Sequence, residues 1–233
     1  MSDFFERNVM KLFSGNSLWF LISNSDAVTK LILVGLLVTS IICWTIVFYK
    51  ITSLRTKMAA SKNILERLKK INSWREVYEL AHAHKDTYSG HLLFQQTTAV
   101  KNIQLSHKTT PSERRYALLD DMRFSLIDDA LHEEQEHLSV LLVTAGVAPL
   151  IGLFGTVWGL THSFLSISEK QGADIVTVAP GIAEALITTL AGLMVAIPAF
   201  MFYHYLQNNI DRLGYQLTKI TEYVHFLMQE DAQ

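Results

Sequence analysis

The sequence predicts an all-α membrane protein with three transmembrane helices and long cytoplasmic helical extensions. Three long apolar stretches, at residues 31–49, 138–168 and 175–205, support this prediction. The first two contain no Asp, Glu, Lys or Arg, and the third contains one such residue, Glu184. Each stretch can cross the hydrocarbon core of a bilayer, since a spanning helix needs about 20 apolar residues.

The overall composition excludes several classes of function. The chain has 233 residues, of which 49% are hydrophobic. Its net charge of -2 means that it has no excess of positive charge for binding nucleic acid. The first residues mix acidic and basic side chains without the order of a cleavable signal peptide, so we expect the mature chain to begin at Met1. Cys43 is the single cysteine, so no internal disulfide forms. Because the sequence has no glycine-rich phosphate loop, we do not expect ATP to be its energy source.

Positive charge around the first stretch predicts its orientation. Residues 28–49 form the first predicted span, and residues 1–27 before it read as an amphipathic helix on the outer surface or as a packing helix. Seven lysines and arginines follow the span between Lys50 and Lys70, against three before it. Since basic flanks stay on the cytoplasmic side, the N-terminus is predicted to lie outside.

Residues 50–137 are predicted to form a cytoplasmic helical region. Capping-box patterns at residues 73–76 and 110–113 predict two helix starts. No glycine or proline occurs between Pro111 and Ala145, so we expect one continuous helix to run into the membrane. The acids of this helix and the basic residues before it are expected to neutralise each other, to neutralise neighbouring subunits, or to remain solvated.

The remaining boundaries follow from the other two stretches. Residues 138–168 form the second predicted span, 169–174 an outer loop, 175–205 the third span and 206–233 a cytoplasmic C-terminal helix. A link this short predicts that the second and third spans are antiparallel neighbours.

Glu184 is the main candidate functional residue, because a carboxylate at membrane depth costs a few kcal/mol unless it faces protein, water or a partner. Thr156 of the second span is predicted to lie at a similar depth. Small and polar residues share one helix face with Glu184, and others share one with Thr156. They are Pro180, Gly181, Thr188, Ala191, Val195 and Pro198 beside Glu184, and Ala145, Pro149, Gly152, Gly159 and Ser163 beside Thr156.

These stripes predict that the polar groups meet near mid-membrane and form a proton or cation path. Close helix packing is the alternative, since small residues permit it and Gly155 with Gly159 makes a GxxxG pattern. Glu184 would then be a structural carboxylate hydrogen-bonded inside a bundle.

Catalytic and metal chemistry find little support in this sequence. No set of nucleophile, base and orienting group is recognisable, so an enzyme is not predicted. His132 and His137 are five residues apart, which places them on different faces of a helix, and we expect them to be solvated. His162 lies about 120° from the Thr156 face and is interpreted as a packing residue. No metal or cofactor is predicted.

Two segments carry a family resemblance. IGLFGTVWGLTHSF, residues 151–164, and VAPGIAEALITTLAGLMVAIPA, residues 178–199, resemble the signature segments of the MotA/TolQ/ExbB proton channel family. Within it, the short N-terminal region and the THSF motif are most similar to the TolQ type. The resemblance implies a homo-pentamer around the transmembrane helices of a TolR-like dimer that carries a transmembrane aspartate.

The resemblance also implies proton-path roles for Thr156, Glu184 and Thr189. Helical geometry places Thr188, not Thr189, on the Glu184 face, so both threonines remain candidates.

The function implied is that of a TolQ-like proton-channel subunit of the Tol-Pal system in the bacterial inner membrane. With its TolR-like partner it would use the proton-motive force to energise a TolA-like protein for outer-membrane integrity and cell division. The alternatives are an ExbB-like subunit that energises TonB-dependent outer-membrane uptake, and a membrane scaffold that does not conduct.

Overall fold

The computed structural model describes residues 26–71, 73–106, 112–170 and 175–230. All regular structure within these ranges is helical. The helices are α1 (Ala27–Leu68), α2 (Trp74–Ala83), α3 (Tyr88–Ser106), α4 (Ser112–Gln135), α5 (Leu138–Lys170) and α6 (Ile175–Glu230). Stretches of α1, α5 and α6 are long and apolar enough to cross a membrane. An all-helical protein with three candidate spanning helices is therefore confirmed for the described part of the chain.

Two of the helices are much longer than a bilayer is thick. With 42 and 56 residues, α1 and α6 measure about 63 and 84 Å, against a hydrocarbon core of about 30 Å. Pro180 and Pro198 lie inside α6 without ending it. Much of each helix therefore extends beyond its spanning stretch.

Several predictions fall outside the described residues. These are the helix expected within residues 1–27, except for its last two positions, and the first two residues of the helix start at residues 110–113, where α4 is described from Ser112. The outer loop falls outside in part, because α5 continues through Lys170 and only residues 171–174 lie beyond it.

The helices divide between two units. The span unit comprises residues 26–46 and 140–203, and the extension unit comprises residues 47–139 and 204–230. Within the extension unit, α1, α2, α3 and α6 share one apolar core. Its fully buried members are Ile64, Leu68, Val77, Ala81, Leu93, Ile220, Val224 and Leu227.

The first predicted helix start is confirmed in position but not in mechanism. Ser73 occupies the N-cap of α2 with extended backbone, but its side chain makes no capping hydrogen bond. Glu76 lies in the first turn, where its negative charge favours the helix N-terminus.

The prediction of one unbroken helix from Pro111 to Ala145 is wrong at residues 136–137. There α4 ends, and His137 takes a left-handed backbone conformation with φ 69° before α5 begins. The physical reason lies on another helix. The ammonium group of Lys50 donates to the carbonyl oxygen of Glu134 at 2.8 Å and to that of Glu133 at 3.5 Å. In a continuous helix these carbonyls would accept from residues 137 and 138 instead.

Four side chains gather around this break, and we call them the joint: Lys50, Lys57, Tyr88 and Glu134. The carboxylate of Glu134 is 2% exposed and forms ion pairs with Lys50, at 3.6 Å, and with Lys57. Lys57 lies over the Tyr88 ring at 4.3 Å, and the Tyr88 hydroxyl donates to the Ala130 carbonyl at 2.9 Å. Of the three outcomes expected for the basic and acidic stretches, neutralisation within the chain is therefore the one observed at Glu134.

Candidate functional site

Helices α5 and α6 pack along a line of small residues, which we call the seam. A Cβ atom on Gly155 would come within 2.5 Å of the Thr188 Oγ1 atom, and one on Gly192 within 2.6 Å of the Ala148 carbonyl oxygen. Glycine at these positions lets the two backbones approach closely. The seam residues are Ala148, Gly152, Gly155, Gly159 and Ser163 on α5, and Gly181, Ala185, Thr188 and Gly192 on α6.

Contacts across the seam establish the register of the two helices. Gly159 faces Ala185, and Gly181 faces Ser163, so an increase in residue number on α5 matches a decrease on α6. The helices are therefore antiparallel neighbours, as the short link between them predicts. In this register Thr156 lies about three residues, or roughly 5 Å along the helix axis, from the level of Glu184.

Two threonines of α6 hydrogen-bond to the backbone of α5. The hydroxyl groups of Thr188 and Thr189 each lie 3.1 Å from the Gly152 carbonyl oxygen and donate to it. The Thr188 hydroxyl also lies 2.7 Å from the Ala185 carbonyl oxygen of its own helix, and its residue is completely buried. Thr188 is thus held inside the seam, while Thr189 is half-buried at the edge.

Glu184 lies on the side of the seam where α1 packs. Ala191 and Val195 follow Glu184 by seven and eleven residues and share its side of α6. Both pack against a cluster that contains Ile32 and Leu36 of α1. Glu184 itself is half-buried. We call this side of the seam the acid flank.

The other hydroxyl groups lie on the opposite side, which we call the hydroxyl flank. Thr189 is about 140° from Glu184 around α6. Thr156 follows Gly152, the acceptor of the Thr189 hydrogen bond, by one turn of α5. It is half-buried, and its hydroxyl donates to the Leu153 carbonyl oxygen of the same helix at 2.7 Å.

The predicted meeting of these polar groups therefore does not occur within one chain. The depths of Glu184 and Thr156 match, but the seam separates them. The sequence pattern placed Thr156 at the centre of the small-residue face of α5. In the structure Gly155 and Gly159 contact α6 instead, so the contacting face lies about 60° around the helix axis from Thr156. Both glycines stand in the sequence, but the pattern does not show which part of a small-residue stripe touches the neighbour.

The remaining stripe residues divide between contact and exposure. Gly152, Gly159, Ser163 and Gly181 lie in the seam. Pro149 and Pro198 are half-buried inside their helices, Ala191 packs toward α1, and Pro180 is exposed. A proline inside a helix leaves the carbonyl four residues earlier without its usual donor, which adds polar backbone to an otherwise apolar span.

Sequence reasoning missed a contact between the start of α1 and α5. The Trp158 indole donates from Nε1 to the Oδ2 atom of Asp26 at 3.0 Å. Asp26 also occupies the N-cap position of α1, where its carbonyl oxygen accepts from the backbone N–H of Lys30 at 3.0 Å. An aspartate directly before an apolar run signals a helix start, but its partner 132 residues away leaves no local signal.

Other titratable residues singled out by the sequence are exposed. His132 and His137 are exposed near the end of α4, and His162 is exposed on α5. Among the described residues, no three His, Cys, Asp or Glu side chains lie close enough together to hold a metal ion.

Known proteins resemble this chain over most of its length. A family model described as the MotA/TolQ/ExbB proton channel family matches residues 94–219. The biopolymer transport protein ExbB of Pseudomonas putida is 32% identical over 213 residues, which cover 91% of this chain and 64% of that protein. ExbB of Salmonella typhimurium is 27% identical over 216 residues, or 92% of this chain and 87% of that protein. The Tol-Pal system protein TolQ of Pseudomonas aeruginosa is 33% identical over 193 residues, or 81% and 82%.

Proposed function

The chain belongs to the MotA/TolQ/ExbB proton channel family, and on that premise we propose that it is a TolQ-like proton-channel subunit of the bacterial inner membrane. With a TolR-like partner it uses the proton-motive force to energise a TolA-like protein for outer-membrane integrity and cell division. A proton-motive force of roughly 150 mV supplies about 3.5 kcal/mol per proton, several times the thermal energy.

The observation that carries this proposal is the position of Glu184. It is the one carboxylate within the spanning part of α6, and it lies half-buried beside a seam of small residues. Such a residue is costly in a membrane and is kept where it faces a path or a partner. We propose that Glu184 exchanges protons with an aspartate on the partner helix, and that Thr156, Thr189 and Thr188 line or shape the path.

The separation of the two flanks supports an oligomer. A path that uses both Glu184 and Thr156 needs the acid flank of one copy to approach the hydroxyl flank of the next. Large apolar side chains on the spans are exposed in the single chain, as expected of surfaces covered by lipid or by further copies. They include Leu150 at 62%, Leu186 at 64% and Met194 at 65%. A ring of five copies around two partner helices is the arrangement we propose.

The membrane topology is part of the proposal. Residues 28–49, 138–168 and 175–205 cross the membrane, 1–27 and 169–174 lie on the periplasmic side, and 50–137 with 206–233 lie in the cytoplasm. Impermeant thiol reagents test it: a cysteine at Gln171 reacts from outside, and one at Lys101 does not. The reverse labelling pattern would contradict this orientation.

Proton flux into liposomes that contain the purified complex tests the role of Glu184. The Glu184→Gln variant keeps the shape and hydrogen-bonding capacity of the side chain but loses its charge, so we expect assembly at normal yield and loss of flux. Thr156→Val and Thr188→Val should reduce flux less, because water can replace a hydroxyl group. The matched control is Glu222→Gln, the same change at an exposed position of the same helix.

Two results would contradict the proposal in different ways. If Glu184→Gln assembles and conducts like the parent, Glu184 is structural. If the parent complex itself conducts no protons, the non-conducting scaffold is the better description.

An ExbB-like role is the second candidate, because relatives of both names are similar to this chain at nearly equal identity. Complementation separates the two. We expect the chain to restore detergent resistance to cells that lack TolQ, and not to restore TonB-dependent uptake to cells that lack ExbB. The opposite result would assign the ExbB-like role.

A further inference from the structure

The acid flank contains titratable groups that the proposed path does not use. At the start of α1, Asp26 accepts the hydrogen bond of Trp158. His162 follows Trp158 by one turn of α5 on the same side, within electrostatic reach of the Asp26 carboxyl. An aspartate and a histidine therefore lie together where α1 meets α5.

The register of the seam brings His162 to the level of Glu184. Ser163 faces Gly181, and Ala185 faces Gly159. His162 and Glu184 directly precede Ser163 and Ala185, so they differ by about two residues, or roughly 3 Å, along the helix axes.

Contacts with α1 place both residues on one side of the seam. The start of α1 touches α5 at Trp158, four residues before His162. Further along, α1 packs against Ala191 and Val195, on the Glu184 side of α6. Helix α1 therefore packs on the flank on which both residues lie. The charged or titratable groups described near this end of the flank are Asp26 and Lys30 on α1, His162 on α5 and Glu184 on α6.

We propose that His162 relays protons between water on the proposed periplasmic side and Glu184, with Asp26 as its charged neighbour. This inference rests on the proposed function, since it supplies a route to the same carboxylate. Imidazole suits such a relay because it exchanges protons near neutral pH and has two nitrogens. One ring nitrogen binds a proton from water, and the other releases its proton to the Glu184 carboxylate. The ring is then neutral again in the opposite tautomer, and it returns to the first by rotation or by proton exchange with water.

A simpler role for His162 would be to hold the helices in place, as Trp158 does by joining α5 to the start of α1 through Asp26. An anchor and a relay differ in one measurable respect. Small diffusible imidazole can replace a proton relay but cannot replace a side chain that holds a helix in position.

The test is proton flux into liposomes containing the complex of this chain with its aspartate-bearing partner. His162→Ala and His162→Asn should assemble at normal yield and lower the flux by about a hundredfold, at the low end of acid–base contributions. Imidazole in the outer solution should restore much of the flux of His162→Ala. It should not restore flux to Glu184→Gln, which lacks the next group on the route.

Two further variants complete the design. His204→Asn makes the same chemical change at an exposed histidine twenty residues beyond Glu184, about 30 Å along α6, and should conduct like the parent. Asp26→Asn keeps the helix cap and an acceptor for Trp158 but removes the charge, and should lower the flux less than His162→Asn does.

Each result decides the inference. Parent-like flux in His162→Ala overturns it, and so does a lost flux that imidazole does not restore in an assembled complex. If the alanine variant does not assemble, the pH dependence of flux in His162→Asn takes its place. A relay predicts that the dependence of proton flux on outer pH between about 5 and 8 is present in the parent and absent in His162→Asn. A profile that is the same in both overturns the inference. A parent complex that does not conduct, or a Glu184→Gln complex that does, refutes the proposed function instead.

Discussion

The seam and the joint solve the same problem with opposite chemistry. Both bring two helices so close that polar groups lose their contact with water. In the seam, glycines let the backbones touch, and the Thr188 hydroxyl donates to the Gly152 carbonyl without any charge. In the joint, the carboxylate of Glu134 is buried with the ammonium groups of Lys50 and Lys57.

The difference follows from the surroundings of each contact. A seam between spanning helices can use dispersion and hydroxyl hydrogen bonds, because a charge there is costly and is kept for function. The joint must satisfy two carbonyl groups exposed by the end of α4, and the Lys50 ammonium donates to both. Loss of one buried charge leaves its partner without compensation, whereas loss of one seam contact leaves the other contacts in place. The joint should therefore be the more sensitive of the two regions.

The largest expected effect comes from Glu134→Ala. It leaves the Lys50 ammonium, whose side chain is 6% exposed, without its carboxylate, and breaking a buried pair in this way costs about 3 kcal/mol. Thermal unfolding in detergent, followed by circular dichroism, measures the loss. The control is Glu133→Ala at the adjacent exposed carboxylate, which should change stability very little. Equal unfolding temperatures for the two variants would show that the joint is not the sensitive region.

A pair of glycine substitutions tests the seam itself. Gly192→Ala places a methyl group 2.6 Å from the Ala148 carbonyl oxygen and should cost about 1–3 kcal/mol, since the backbones must separate. Gly146→Ala makes the same change where nothing lies within 4 Å, and it should be neutral or stabilising by up to about 1 kcal/mol. Unfolding temperature and the yield of assembled oligomer are measured for both. A Gly192→Ala variant as stable as Gly146→Ala would rule out the close seam.

The smallest effect is expected at the edge of the joint. Burial, with the nearby charges of Glu134 and Glu133, raises the pKa of the Tyr88 phenol. Its hydrogen bond to the Ala130 carbonyl is lost in Tyr88→Phe, which should cost about 1 kcal/mol at neutral pH.

The pH dependence of this difference has a definite sign. Below about pH 10 the phenol is neutral in both the folded and the unfolded chain, so the parent keeps its full advantage. Above that pH the unfolded phenol ionises more readily than the folded one, and the free energy of unfolding of the parent falls. The stability difference between parent and Tyr88→Phe should therefore shrink as the pH rises above about 10. A difference that grows over this range would mean that Tyr88 is not protected in the folded protein.

Two corrections show why parts of the fold could not be predicted from the sequence. The break at His137 has no local signal, because neither glycine nor proline is near and its stabilising donor, Lys50, lies on another helix. The two flanks of the seam could not be predicted for the same reason. A helical wheel groups Thr156 with Gly152 and Gly159, but only the packed pair shows that Gly155 turns toward Thr188 and leaves Thr156 at the side.

By itself, the sequence determined the three apolar spans, the helical class, the position of the lone membrane carboxylate and the resemblance to a proton channel family. These properties depend on hydropathy and short motifs, which are local along the chain. Only the tertiary structure decided that Glu184 and Thr156 lie on opposite flanks, that Asp26 meets Trp158, and that Lys50 ends α4. Each of these contacts joins residues far apart in sequence. Their partners are selected by the free energy of packing and burial between helices, which no local pattern encodes.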